Sequence, residues 1–365
     1  MSTAQQSADH TLYVVGGSSS YQNQVSQALL SFYNVVPFRD PDKLLDHLEF
    51  DSPSALIVDE KQSNGSGSEF LTRFQLRHGQ KNIPVVITVP SGQAALMRTT
   101  PTIRVLEKPY RRSQLLDAIS GQVNKGVEAQ WDEIEPVQRA ALVNTLESFN
   151  NIADLIAEGQ PIAYEDVTQS CEPLMQAVKN NTFQDMLKGV RGHDNYSYVH
   201  SMRVATLLSL FGAAIGIQGD DHVTLTTGGL LHDVGKMKIP HEVLNKAGKL
   251  DDDEFQQMKN HVNHGVDFLT LTNSIPKGVS IIASQHHERI DGSGYPNGVG
   301  GKDLNQLARM AAIIDVFSAL TDRRVYKPPM EPEKALSIMK DMKGHLDNGL
   351  LMVFREMLLD SVPAN

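Results

Sequence analysis

The chain has 365 residues, 43 of them acidic and 33 basic, a net charge of −10, and 40% hydrophobic residues. That length supports two or three folded domains. The acidic balance argues against a general nucleic-acid binder, which needs a basic face for phosphates, while leaving room for a local basic pocket. Cys171 is the single cysteine, so no intrachain disulfide forms. The stretch from Met1 to His10 is polar, and no apolar run nears the roughly eighteen residues of a membrane span. We therefore expect a cytoplasmic protein in a reducing compartment, with neither DNA nor membrane as partner.

Through the first third of the chain, short apolar runs alternate with helical segments. Thr11–Val15, Ser54–Asp59, Ile83–Thr88 and Ile103–Leu106 read as buried strands. Gln22–Phe32, Asp42–Glu49, Glu69–Gln75 and Ser113–Gly121 read as the crossover helices. This alternation predicts a parallel sheet with helices on both faces, an α/β doubly wound, flavodoxin-like domain over residues 1–121. Here the chain resembles a response-regulator receiver domain, through Leu56-Ile-Val-Asp59 at the phosphoacceptor strand and Glu107-Lys-Pro-Tyr110 at the Lys-Pro turn. It departs from that pattern at Gly16-Gly17, where a receiver holds magnesium with an acidic pair, and at Val89, where the switch Ser/Thr falls beside Thr88. The resemblance implies a degenerate receiver-like domain that docks a protein partner or dimerises. Asp59 reads as a solvated strand-end carboxylate.

Residues 122–188 turn helical, with Trp131, Ile134, Val137, Leu142, Leu146, Phe149, Ile152 and Ile156 at three- and four-residue steps. Gly159-Gln-Pro161 breaks the run, and a second follows through Leu174, Val178, Phe183, Met186 and Leu187. The stretch reads as a helical linker plus the first helices of the next domain. Core is the default role for its apolar stripe, and a homodimer seam is the other.

Residues 189–365 read as all helical between Gly- and Pro-rich loops. Ten of the thirteen histidines lie between His193 and His345. With so little cysteine, that concentration points to metals that bind imidazole and carboxylate: iron, manganese, nickel, cobalt or zinc. The organising stretch is Leu230-Leu-His-Asp-Val-Gly-Lys236, where His232 and Asp233 follow an apolar run. A carboxylate buried there needs a paired charge or a metal. A helix end, with Gly235 as the stop and Asp233 paired to Lys236, is an equally open reading. His200 opens a helix reaching Phe211, and acidic residues at Asp251–Glu254 cap a helix whose apolar stripe passes beside His261. His286 and His287 end the helix from Val279, and Asp315 sits among apolar neighbours between Gln306 and Leu320. Each alone is more often a hydrogen-bonded core or surface residue than a ligand. Together, His200, His232, Asp233, His261, His286, His287 and Asp315 exceed what one ion takes while keeping an open position. Two ions, with Asp233 as their bridge, are the economical reading. His241, His264 and His345 read as surface histidines.

In this order the motifs resemble the HD-GYP family of metal-dependent phosphodiesterases, over roughly residues 190–355. The match rests on His200-Ser, Leu231-His-Asp-Val-Gly-Lys236 with Ile239-Pro240, and Leu244-Asn-Lys246 with Gly248-Lys-Leu250. It continues through His261 with Gly265 to His286-His-Glu-Arg-Ile-Asp-Gly-Ser-Gly-Tyr-Pro296. The resemblance implies an all-α HD-superfamily domain over 189–365 that hydrolyses cyclic di-GMP to linear pGpG, GMP or both. It implies that the seven residues ligate two divalent ions, iron foremost, which acidify the attacking water. Asp233 and Lys236 are then the catalytic residues, and Lys236, Tyr295, Arg324 and Lys327 meet the substrate. Tyr295 is as readily a loop anchor packed on the core, and Glu288 and Asp291 as readily orient the loop as touch substrate. Tyr196 stands where some members carry a glutamate for a third metal, and Ser318 replaces a second aspartate. Arg323-Arg-Val-Tyr326 and Leu346-Asp-Asn348 also depart from the pattern at the pocket wall. A weak or inactive cyclic-dinucleotide sensor or scaffold, and a hydrolase for another phosphate ester, therefore stay open.

Overall fold

A computed structural model describes residues 11–97, 100–246, 248–322 and 329–360. The chain divides into two compact units, Met1–Glu128 with Pro240–Lys246, and Ala129–Ile239 with Ala247–Asn365.

The first unit is a parallel five-stranded sheet in the order β2-β1-β3-β4-β5. Its strands are β1 (Thr11–Val15), β2 (Asn34–Phe38), β3 (Ala55–Asp59), β4 (Val85–Val89) and β5 (Ile103–Glu107). Helices α1 (Ser19–Leu29), α2 (Pro41–His47), α3 (Gly67–His78) and α4 (Arg112–Val123) flank it. β1, β3 and β4 form because continuous runs of Val, Ile and Leu can be buried on both faces of a central strand. The sequence reading lacks β2. That strand lies at the sheet edge, where half-buried residues break the apolar signal and where Pro37, without an N–H, is tolerated. Between β4 and β5 the described residues hold only a 3-10 turn, Ala94–Leu96.

Asp59 ends β3 beside the point where strand order reverses, and the expectation of a solvated carboxylate is corrected there. It is 1% exposed and ion-paired with Lys108. The Lys61 N–H donates to Oδ1 at 2.8 Å and the Thr88 hydroxyl to Oδ2 at 3.3 Å. The register that puts Asp59 opposite Thr88, and the turn after β5 that carries Lys108, close over the strand end. The Tyr21 hydroxyl lies 2.8 Å from that of Thr88, and Tyr110 donates to Tyr21 at 3.1 Å. Gly16 has φ 84°, and the Gln62 amide packs against it in the space a Cβ would need. An uncharged amide thus fills the corner at Gly16-Gly17.

In the second unit, helices Pro136–Glu158 and Tyr164–Lys179 pack on each other and on Tyr196–Ala214 and Gly219–Leu231. Trp131, Leu142, Phe149, Ile152 and Ile156 are each 4% exposed or less, so their stripe belongs to the unit's own core. Gly159 ends the first helix in the left-handed region, at φ 65°, as its glycine suggests. The Trp131 indole donates to the Gly189 carbonyl at 2.9 Å and the Tyr198 hydroxyl to that of Leu142 at 2.8 Å. Tyr196–Ala214 is apolar nearly all round and runs through the core beside Gln306–Thr321, its Phe211 clustering with Leu225, Ile282, Ile314 and Phe354. Among the described residues, no helix is long and apolar enough to cross a membrane.

Candidate metal centre

Five helices of the second unit bring the histidines and carboxylates together. His200 projects from the second turn of Tyr196–Ala214. Gly219–Leu231 ends at His232, and Asp233 starts a 3-10 turn, Val234–Lys238. His261 lies inside Asp252–Leu269, which Asp251 and Glu254 start with reciprocal side-chain to backbone bonds of 2.9 and 2.8 Å. His286 and His287 follow Lys277–Gln285, and Asp315 sits in Gln306–Thr321. Gly235 is not a helix stop. A Cβ there would lie 1.9 Å from the His261 carbonyl oxygen and 2.5 Å from the Gly265 nitrogen, so its glycine lets the Asp233 turn touch the backbone of the His261 helix.

All seven predicted ligands converge. Asp233, His261, His286 and His287 form one donor group and His200, His232, Asp233 and Asp315 another, each with its ligand atoms within 4.8 Å of one another. Asp233 belongs to both, and its two oxygens divide between them. Oδ1 lies 3.2 Å from His261 Nε2 and 3.7 Å from His286 Nε2. Oδ2 lies 3.1 Å from His232 Nε2 and 3.5 Å from His200 Nε2. Asp315 spans the groups as well, with Oδ1 2.9 Å from His200 Nε2 and Oδ2 3.7 Å from His287 Nδ1. Lys236 is also paired with Asp233, as the helix-end reading expected, although the helix stops before Gly235.

Hydrogen bonds behind the imidazoles aim their lone pairs inward. Nδ1–H of His232 donates to the Gly229 carbonyl at 2.7 Å, that of His261 to Met258 at 2.6 Å and that of His286 to Ala283 at 3.0 Å. Their Nε2 atoms then meet one another and Asp233 with no proton to share. His232 Nε2 and Asp233 Oδ1 are buried without a hydrogen-bond partner, a cost that a cation between them would relieve. Burial keeps His232 below its ordinary pKa, takes His261 down to about 3 and holds His287 well below the imidazole range, so all three are neutral, as ligands must be. Burial also opposes ionisation of Asp233, but its polar neighbours, the Lys236 ammonium among them, outweigh it and hold the carboxyl well below its usual range. Asp315 is likewise depressed: burial opposes this, and the His200 hydrogen bond prevails. His200 behaves oppositely. Burial lowers it, yet hydrogen bonds to Asp315 and Asp322 lift it to about 10, so without metal a proton sits among the carboxylates. Nitrogen and carboxylate donors around an anionic bridge suit divalent transition ions.

Residues 183–350 match a family model described as HD domain. Over 163 residues the chain is 37% identical to a cyclic di-GMP phosphodiesterase of Pseudomonas aeruginosa, covering 44% of this chain and 39% of that one. It is 28% identical over 318 residues to the cyclic di-GMP phosphodiesterase response regulator RpfG of Xanthomonas campestris pv. campestris, covering 86% of this chain and 77% of RpfG. A 3'3'-cGAMP-specific phosphodiesterase of Vibrio cholerae is 35% identical over 146 residues, 40% of this chain and 32% of that one. The chain thus spans about two fifths of the Pseudomonas relative and a third of the Vibrio one.

The helical unit carries an HD domain.

In this HD domain, Glu288 secures the glycine-rich loop after His287: its carboxylate accepts from the N–H groups of Asn297 at 2.7 Å and Val299 at 3.1 Å. Gly294 permits close approach, since a Cβ would lie 2.5 Å from the Glu288 Cα. Tyr295 stacks on His287, centroids 4.7 Å apart and planes 28° apart, half-buried beside the centre. Tyr196 stacks on His200 at 5.9 Å. Arg324 and Lys327, expected at the substrate, lie outside the described residues. His241, His264 and His345 are half-buried rather than on the surface, and belong to neither donor group. The sequence reading missed Asp322. Its Oδ2 is 3.4 Å from His200 Nδ1, and it is ion-paired with Arg203, behind that imidazole. Its place seven residues after Asp315, two helical turns along and on the same face, was the available signal.

Proposed function

We propose that the HD domain is a two-metal phosphodiesterase acting on a cyclic dinucleotide, with cyclic di-GMP as substrate and linear pGpG, GMP or both as product. The observation that carries this is the division of the Asp233 oxygens between two four-donor groups. The names of the relatives support the substrate class. A pair of ions held by His200, His232, Asp233, His261, His286, His287 and Asp315, iron first and manganese, nickel, cobalt or zinc as alternatives, would supply an acidified water and a clamp for the attacking and leaving oxygens.

The side chains around that pair bind and orient. Lys236 keeps its proton: burial lowers its pKa, but Asp233 and Asp315 raise it above the ordinary lysine value. Its ammonium is therefore placed to steady a phosphate oxygen and to donate a proton to the departing ribose oxygen. Tyr295 walls the same side as a flat surface for a base, and Arg324 and Lys327 supply phosphate contacts. We assign residues 1–121 to a receiver-like module, 122–188 to a helical extension and 189–365 to the catalytic region. Because Gly16-Gly17 stand where a receiver has its acidic pair and the Gln62 amide fills that corner, the first module serves to dock a protein partner or a second copy rather than to accept a phosphoryl group.

The test is to purify the chain anaerobically, load it with iron or manganese, count ions, and follow loss of cyclic di-GMP and of 3'3'-cGAMP on the same samples. About two ions per chain with turnover supports the reading. Two ions and tight binding without turnover moves it to a sensor, and no metal uptake refutes the centre.

A further inference from the structure

The candidate metal centre is least buried at three of its side chains. The side chains of His200, His232, Asp233, His261 and His286 are 3% exposed or less, whereas Asp315 is 11%, Lys236 19% and His287 24% exposed. A ligand therefore reaches the donors over His287, Lys236 and Asp315. On that side a row of rings leads outward. Tyr295 stacks on His287, and Phe255 meets Tyr295 edge to face, with centroids 6.4 Å apart and planes at 79°. Phe255 is 46% exposed, an unusual state for a phenyl ring beside a polar centre. The ammonium of Lys259, one turn further on, lies 4.9 Å from the Phe255 centroid and 5.9 Å from that of Tyr295.

Phe255 and Lys259 share the Asp252–Leu269 helix with His261. Six residues separate Phe255 from His261, about 9 Å of helical rise, so the ring stands about one nucleoside away from a phosphate seated on the donors. A phenylalanine and lysine four residues apart on a helix attract each other without any ligand. What points to a ligand is their position, at the outer end of an unbroken aromatic row that starts on a predicted metal ligand. Exposed aromatic faces next to a fixed ammonium suit a flat base joined to a phosphate.

We propose that Phe255 and Lys259 form an outer base subsite, where Phe255 stacks one purine of the cyclic dinucleotide and Lys259 meets the phosphate farther from the metals. The proposal rests on the cyclic-dinucleotide reading of the site, and its test separates the two. The metal-loaded full chain is titrated calorimetrically with the bis-phosphorothioate analogue of cyclic di-GMP, which resists hydrolysis. Phe255→Ala should weaken binding about tenfold or more, and Phe255→Trp should restore most of it. Lys259→Gln should weaken binding less and flatten its dependence on salt. In turnover, Phe255→Ala should lower kcat/KM for cyclic di-GMP at least fivefold more than for methyl p-nitrophenyl phosphate, a diester without a purine, and should act mainly on KM. Equal affinity of Phe255→Ala and the parent overturns the subsite alone. A metal-loaded parent that binds no analogue overturns both the subsite and the substrate reading.

Discussion

Replacing Asp322 by asparagine separates the two halves of the metal centre. Asp322 touches one of the seven candidate ligands: its Oδ2 lies 3.4 Å from His200 Nδ1, while its carboxylate also pairs with Arg203. At 3.4 Å the hydrogen bond itself is long, so most of what Asp322 supplies is negative charge behind the imidazole. Asparagine keeps an acceptor at nearly the same place and removes that charge. Carboxylates behind ligating histidines are worth about 10- to 100-fold in metal affinity, or about 1.4–2.7 kcal/mol. The whole loss should fall on the His200, His232, Asp233 and Asp315 group, because Asp322 reaches no member of the other. Titrating apoprotein with manganese or cobalt should show two binding steps in the parent. In Asp322→Asn one step should weaken by that factor while the other moves less than about threefold. Circular dichroism checks that loss of the Arg203 partner leaves the fold intact. Equal weakening of both steps, or of neither, would refute the argument that Asp322 acts through His200.

Asp233→Asn should lower metal content from about two ions per chain to one or none, and reduce hydrolysis by about two orders of magnitude or more, because an amide cannot bridge; two retained ions by elemental analysis would contradict the bridge. Gly235→Ala should destabilise the HD domain by about 3 kcal/mol in urea unfolding, since its Cβ would strike backbone that cannot yield; a change below about 1 kcal/mol would mean that the contact relaxes. Metal uptake should release about one proton at pH 7. His200, raised to about 10, is protonated there, whereas His232, His261 and His287 are already neutral. Affinity should therefore climb roughly tenfold per pH unit until about pH 10. The same raised pKa stabilises the metal-free fold fully below the unfolded imidazole value of 6.5, a contribution lost as pH rises towards 10. Calorimetry in buffers of different ionisation enthalpy measures the proton, and none released would count against His200 as a ligand. Lys108→Met should destabilise the first unit by about 2–3 kcal/mol by leaving Asp59 buried and unpaired, readable as an earlier unfolding transition; an unchanged transition would return Asp59 to a solvated role.

Features written within a few neighbouring residues were legible in the sequence. The apolar runs of β1, β3 and β4, the Asp251 and Glu254 cap, and the Gly159 stop each depend on local periodicity or on one side chain reaching its own backbone. The seven candidate metal donors were legible for another reason: a histidine or carboxylate within an apolar stripe must be satisfied somewhere, so its burial can be inferred before its partner is known. Partners themselves come from segments far apart in sequence, and packing decides them. No local pattern marks Lys108 as the charge that pairs with Asp59, and the spacing of Asp322 from Asp315 gives its helix face without naming His200, 122 residues away, as its partner. Gly235 looked like a helix stop until the backbone of His261 appeared where its side chain would be. The edge strand β2 was hidden because a half-exposed strand with a proline lacks the apolar run that burial on both faces produces. Likewise, the sequence placed Asp233 at the centre, but only the packing of five helices decided that one of its oxygens faces His261 and His286 and the other His200 and His232.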